Sequence, residues 1–198
     1  MSQVTCDIGI SLDGYMAGPR QTEADPLGEG AEELHRWMFE QPDENRAELD
    51  AITAAGAFIM GRNMFGPIRG EWAGDWRGWW GDEPPYHAPV FVLTHHDRPP
   101  LEMEGGTTFN FVTDGIESAL ERARAAAGDR DVSIAGGAET VRQYLNIAAI
   151  DELRLHVAPI LLGAGERPLD GVEGSRFEHA GVRGNELVSH LTLRVTPA

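Results

Sequence analysis

The sequence predicts an α/β fold: a mixed, mostly parallel central sheet flanked by helices in three layers, with an antiparallel strand pair at the C-terminal end. Three observations predict it. Short apolar runs alternate with amphipathic stretches along the 198 residues, the pattern of strand–helix–strand units whose strands run parallel. Several runs stop in glycine where a helical pattern begins, as at Gly61-Arg62 and Gly136-Gly137. The last stretch holds alternating runs at 177–182 and 187–195 with no helical pattern between them, which suits antiparallel edges. One domain spanning 1–198 is expected, with a Trp-rich loop at 66–89.

The elements follow in order. "VTCDIGISLDGYMAG" begins as a strand and breaks at Gly14 and Gly18. Between Glu29 and Glu40, Leu34, Trp37 and Met38 fall on one helical face. A second helix is expected from "PDENRAELDAITAAG", with Pro42, Asp43 and Glu44 as its first turn and Gly56 as its stop. "AFIMG" (57–61) is a buried strand, Val90–His96 another, and "TTFNFVT" a third. "DGIESALERARAAAGD" reads as a helix capped by Asp114, with Ile116, Ala119, Leu120 and Ala123 on its apolar side. Next come a strand at Val132–Ala135, the glycine pair, and a helix at Ala138–Asn146. In "DELRLHVAPILLG", Leu153, Leu155 and Val157 alternate with Arg154, His156 and Ala158, a strand pattern.

Composition narrows the partners. With 16 Lys+Arg against 32 Asp+Glu the formal charge is -16, which opposes binding to nucleic acid or to an anionic membrane surface. No apolar run reaches the roughly 18 residues of a membrane helix. Cys6 has no second cysteine to pair with, and the early segment lacks the charged and apolar regions of a secretory signal, so a cytoplasmic setting is expected.

Chemistry concentrates at strand ends. "FIMGRN" ends in Gly-Arg, "FVLTHH" in Thr-His-His, and "VSIAGGAET" in Gly-Gly before a helix. Were these strands parallel neighbours, one rim would gather backbone N–H groups, a guanidinium, a hydroxyl and imidazoles, the donors that a dinucleotide's phosphates require. The glycine pair alone has two explanations: a tight strand-to-helix turn, or close approach of a phosphate to a helix N-terminus. Arg62 could equally meet a carboxylate. His95 and His96 with His87 suggest a metal, but the spacing is not that of a tetrahedral zinc site, and none is expected. His156 is either a proton-transfer group or a hydrogen-bonded strand residue. Asp13 either bonds a substrate or shapes the turn before Gly14. Trp72, Trp76, Trp79 and Trp80 supply rings for a homodimer contact, the leading reading, or for a lid.

Taken together, "SLDGYMAG", "IMGRN", "VFVLTHH", "IAGGAETVRQYL" and "DELRLHVAPILLGAG" resemble the dihydrofolate reductase-like superfamily. The branch is the one similar to the C-terminal reductase domain of the bifunctional riboflavin-biosynthesis deaminase-reductase. The resemblance implies that Gly61, Arg62 and Asn63 hold the adenosine phosphate, with Arg62 on a 2′-phosphate. It implies that Thr94 and His95 flank the adenine ribose, and that Ala135, Gly136, Gly137, Ala138, Glu139 and Thr140 form the pyrophosphate turn. Leu12 to Ala17, Met16 and Ala17 included, would cover the nicotinamide side, and His156 would face the substrate pocket. The carboxylate that dihydrofolate reductases carry on the first helix has only a loose match in Glu32 and Glu33, so true dihydrofolate reductase activity is not expected.

The expected function is therefore an NADPH-dependent reductase, passing a hydride to a small pterin- or pyrimidine-like substrate, with Asp13 and His156 as catalytic candidates and a homodimer as the assembly. A guanidinium at position 62 favours the phosphorylated cofactor, because its fork matches phosphate oxygens. The alternatives are a dimeric nucleotide-binding protein without turnover and a non-catalytic dimeric module.

Overall fold

The computed structural model describes residues 2–66, 70–72 and 74–198, so residues 67–69 and 73 of the Trp-rich loop lie outside the described residues. Among the described residues the sheet has the order β4-β5-β3-β2-β6-β1-β7-β9-β8. Its strands are β1 (Val4–Ser11), β2 (Ala57–Gly61), β3 (Pro89–Leu93), β4 (Leu101–Glu102), β5 (Thr108–Val112), β6 (Val132–Gly136), β7 (Glu152–Ala158), β8 (Ser175–Gly184) and β9 (Ser189–Pro197). The six strands from β5 to β7 pair in parallel, while β9 runs antiparallel to β7 and β8 antiparallel to β9. The C-terminal ends of β1, β7, β6, β2 and β3 thus fall along one rim.

The two sheet faces are covered differently. On one, Cys6, Ile8, Ile59, Ile134, Leu153 and Leu155 pack beneath the helices α4 (Ile116–Ala127) and α5 (Ala138–Asn146), whose own inward residues include Ala119, Ala123, Val141 and Tyr144. The other has two halves. Over β2, β3 and β5, Phe58, Met60, Val90 and Phe109 meet Phe65 of the short α3 (Arg62–Phe65) and the rings of Trp72, Trp76 and Trp80. Over β1, β7 and β9 lie a 3-10 turn (Ala31–His35) and α1 (Arg36–Glu40), followed by α2 (Arg46–Thr53).

Several sequence expectations are corrected here. The helix expected over Glu29–Glu40 is interrupted: Gly30 is left-handed (φ 75°), and the backbone leaves helical geometry at His35 (φ -113°, ψ 4°) before α1 begins. The second helix starts at Arg46 rather than at Pro42. Asp114 does not cap α4; Gly115 stands at the cap, and the Asp114 carboxylate accepts from Ser118 and Arg122 instead. β3 stops at Leu93 because the Thr94 hydroxyl accepts from the His96 N–H at 3.1 Å and turns the chain. β7 stops at Ala158, before Pro159, which has no N–H to continue the ladder.

The four tryptophans spend their rings on their own chain. Trp72 Nε1 donates to the His96 carbonyl and Trp76 Nε1 to the Phe65 carbonyl, each at 2.8 Å, while Trp79 packs edge-on against Trp76 and Trp80 stacks with Phe109. No helix among the described residues is long and apolar enough to cross a membrane.

Candidate functional site

The glycine turns of β2 and β6 meet through one side chain. A Cβ at Gly61 would stand 2.5 Å from Thr140 Oγ1, so the buried Thr140 of α5 lies directly against Gly61 and draws the two strand ends together. Gly136 (φ 129°) is the point where Met16 arrives: a Cβ there would meet Met64 Sδ at 3.2 Å and Met16 Cε at 3.3 Å. Over Gly137 the space is open, with nothing within 4 Å of a Cβ position. Gly137 is the N-cap of α5, and no side chain caps the helix, so its first N–H groups and partial positive charge face that opening. The cradle suits a phosphate. Glu139, exposed in the first turn, has its carboxylate engaged by Arg142 at 2.6 Å and by Gln143 at 3.2 Å.

Beside it, Arg62 Nη1 donates to Thr94 Oγ1 at 3.4 Å, and the guanidinium lies 3.3 Å from the centroid of the Trp72 ring. Cation–π stacking holds the fork flat at the end of β2. Arg98 approaches the other aromatic neighbours, 5.1 Å from the Trp72 centroid and 5.2 Å from that of Phe111; burial pulls its pKa down. Sequence reasoning missed Arg98, whose only signal was a cation shortly after the Thr-His-His turn. Asn63 and His95 are exposed at the same edge, and Ala135 is half-buried in β6. His87 Nδ1 meets the Gly105 carbonyl at 2.8 Å, and among the described residues no cluster of His, Cys, Asp or Glu is arranged to hold a metal ion.

The N-terminal loop is tied down by backbone and carboxylate bonds. Met16 N donates to the Glu166 carbonyl and Glu166 N to the Ala17 carbonyl, both at 2.9 Å. Asp13 accepts from Ser11 Oγ at 2.6 Å, Leu162 N at 3.1 Å and Gly163 N at 2.7 Å, and the Ser11 bond above all lowers its pKa to about 2. Both carboxylate oxygens are thus occupied in joining the 11–17 loop to the 160–166 loop.

His156 lies on the opposite strand face from Leu155 and is buried beneath Trp37, ring centroids 5.0 Å apart. Its Nδ1 is 2.8 Å from Nδ1 of His190, whose Nε2 is 2.9 Å from Asn45 Oδ1. The network sets the tautomers. Asn45 Nδ2 donates to the Gln41 carbonyl at 2.7 Å, which turns Oδ1 toward His190 as an acceptor. His190 therefore carries its proton on Nε2 and accepts at Nδ1, and His156 donates from Nδ1. Burial and the neighbouring His156 push the pKa of His190 down to about 4. His156 Nε2 is buried without a hydrogen bond, 3.6 Å from Asp7 Oδ1, and Asp7 is itself paired with Arg154 at 3.3 Å.

Glu32 and Glu33 are exposed, whereas His35, one turn on, faces the sheet. The periodicity of Leu34 and Trp37 hid it, since a regular helix would not have aimed position 35 inward.

This arrangement defines the class: a three-layer α/β fold of the dihydrofolate reductase type, with glycine turns gathered on the rim where a nucleotide binds in such sheets. Comparison narrows it. The RibD C-terminal domain family matches residues 2–192, and the chain belongs to that family. A putative riboflavin biosynthesis protein from Shewanella sp. PV-4 superposes with a TM-score of 0.65 at 21% identity, covering 98% of this chain and 99% of that one. Dihydrofolate reductase from Enterococcus faecalis, complexed with NADP(H), gives 0.58 at 15% identity over 98% and 96%. The uncharacterized protein YyaP of Bacillus subtilis (strain 168) is 21% identical over 168 residues, 83% of this chain and 78% of that protein.

Proposed function

We propose that the protein is an NADPH-dependent reductase acting on a small pterin- or pyrimidine-like heterocycle. The observation that carries this reading is the contact of Thr140 with Gly61, which brings the Gly-Arg of β2 beside the open Gly-Gly turn at the N-terminus of α5. Family membership and a similar fold that binds NADP(H) support it.

In this proposal Gly136, Gly137, Ala138, Glu139 and Thr140 hold the pyrophosphate on backbone N–H groups, with Ala135 leading into the turn. Gly61, Arg62 and Asn63 hold the adenosine phosphate, Arg62 already stacked on Trp72, and Thr94 and His95 border the ribose. Met16 and Ala17 wall the nicotinamide side. When bound, the cofactor supplies the hydride; the chain supplies orientation, exclusion of water and a proton. Asp13, ionised and fully bonded, fixes the two loops that border the substrate. A homodimer belongs to the proposal, with the half-buried rings of the Trp-rich loop as its contact and a lid as the alternative, and light scattering on the purified protein tests it.

The test is a calorimetric titration with NADPH and NADH on the wild type and on Arg62→Ala. NADPH is expected to bind more tightly than NADH, and loss of the guanidinium to weaken NADPH about ten- to a hundredfold, the range of a charge-assisted contact of about 1.5–3 kcal/mol. Failure of both nucleotides to bind overturns the reading. A second reading, nucleotide binding without turnover, draws on one observation: the Asp13 carboxylate and His156 Nδ1 are both already hydrogen-bonded within the chain. It predicts tight NADPH binding and no oxidation with any pterin or pyrimidine.

A further inference from the structure

Past the ends of β1 and β7 the two segments stay joined. Ser11 and Ala158 close the strand register, and the next bond runs from Leu12 N to the Ile160 carbonyl at 2.9 Å. A tight turn follows: Gly14 N and Tyr15 N return to the Ser11 carbonyl and hydroxyl, and the Asp13 carboxylate clips the tip to Leu162 N and Gly163 N. In the facing loop Ile160 and Leu162 pack onto Ala31, Leu34 and Ala158, which turns Leu161 outward. Two leucines thus project from adjoining, tied-down segments, Leu12 63% and Leu161 74% exposed, on the rim that carries the glycine turns. Four residues beyond Leu12, Met16 reaches Gly136, so this apolar lip is continuous with the cradle over Gly137. Apolar side chains held in water on a rigid frame contribute nothing to folding. The pair is too small for a protein partner, whose interface takes roughly 800 Å² from each side, but it matches a substituent on a small molecule.

The charge around the lip selects against one kind of ligand. The chain contains no lysine, so every fixed cation of its side chains is an arginine. The bordering segments supply Arg20, Arg36, Arg142 and Arg167, each engaged within the chain: Arg20 by Glu29, Arg36 by Glu33 and Glu40, Arg142 by Glu139, and Arg167 by Asp170 and the Asp13 carbonyl while it lies 4.5 Å from the Tyr15 ring centroid. Carboxylates outnumber them. Asp25, Glu32 and Glu33 line a surface depression beside Gly30, whose own neighbour is Leu162, and Asp13 places an ionised carboxylate between the two leucine-bearing loops. A phosphate arriving here meets like charge, whereas a hydrocarbon group covers surface that water now wets.

We propose that the substrate is unphosphorylated and carries an uncharged alkyl or aryl substituent, which lies on Leu12 and Leu161 while its ring faces the cofactor cradle. The inference rests on the reductase reading and narrows its substrate class. Asp13 is a positioning residue here, holding the two leucines side by side.

The test uses protein carrying 13C-labelled leucine methyl groups and saturated with NADP+, followed by NMR. The probes are 7,8-dihydropterin and 5-aminouracil rings, each prepared with a hexyl chain and with a phosphorylated chain of the same length. The Leu12 and Leu161 signals are assigned by their loss in Leu12→Met and Leu161→Met. On at least one ring the hexyl probe is expected to shift both signals, with Leu101 of the edge strand β4 unmoved, and to bind about tenfold or more tightly than its phosphorylated counterpart. Leu12→Ser and Leu161→Ser should each weaken the hexyl probe about tenfold and leave the phosphorylated one unaltered. Leu161→Arg should reverse the preference by adding a cation to the lip. An equal or stronger response to the phosphorylated probe, hexyl binding with both leucines silent, or no binding of any probe overturns the inference, and NADPH binding in that same protein leaves the nucleotide reading standing. Leucine-dependent hexyl binding by a protein that takes up neither NADP+ nor NADPH removes the reductase reading and leaves the lip only as a site for an apolar ligand.

Discussion

One face of the sheet is covered in two unlike ways. Over β2, β3 and β5 the cover is aromatic: Phe65 contacts Trp72, Phe109 and Phe111 at ring separations of 5.7, 5.0 and 5.3 Å, and the indole N–H groups of Trp72 and Trp76 reach backbone carbonyls. Over β1, β7 and β9 it is polar, a hydrogen-bonded run of His156, His190 and Asn45 beneath Trp37. Burial of apolar surface is non-directional, so the aromatic half tolerates rearrangement and is indifferent to protons. The histidine half depends on the pairing of His156, His190 and Asn45, and on His190 staying neutral.

The largest expected effect tests the aromatic half. Phe65→Ala should cost about 3–5 kcal/mol in chemical denaturation, since a fully buried ring leaves a cavity, and the loss should be the same at pH 8 as at pH 5. A loss that grows on acidification would break the contrast between the halves. Next, Asn45→Ala leaves the His190 Nε2–H and the Gln41 carbonyl without their partner, and about 1–3 kcal/mol should be lost. A neutral result there would mean that water replaces the amide and that the tautomers are not held as described.

At the seam between the halves, Gly61→Ala should lower stability by about 1–3 kcal/mol through overpacking against Thr140 and weaken NADPH binding. Adding Thr140→Ala should restore much of both, which a double-mutant cycle would show as coupling. The smallest effect sharpens the comparison most. His190 has its pKa lowered from 6.5 to about 4 by burial, so the unfolded chain takes up a proton before the folded one does. Stability is then fully present above pH 6.5 and lost as pH falls toward about 4, a change in melting temperature on the order of a few degrees. Asn45→Asp, which sets a carboxylate beside His190, should shrink that change; an unaltered slope would remove His190 as its source.

Much of the glycine-lined rim proposed to hold the nucleotide was legible in the sequence. Gly61-Arg62 and Gly136-Gly137 stand out because glycine before a helix is a local signal, and local signals survive without knowledge of the fold. The face over β1 and β7 was not. His35 sits where a 3-10 turn gives way to α1, so helical periodicity misplaces it, and Glu32 and Glu33, the loose match that the family resemblance offered, are exposed. Asp13 and His156 were found by pattern, but their partners, Leu162, Gly163 and His190, lie 34 to 150 residues away.

By itself the sequence determined all the strands but the short β4, that most of them run parallel, and which glycines stand at the strand ends, because alternation and turn chemistry act within a few residues. Only the tertiary structure decided that Thr140 seats itself on Gly61, that Trp72 lies flat on Arg62, and that an imidazole rather than a carboxylate overlooks Gly9. Those outcomes depend on which distant side chains share a desolvated space, and that is settled by packing rather than by propensity.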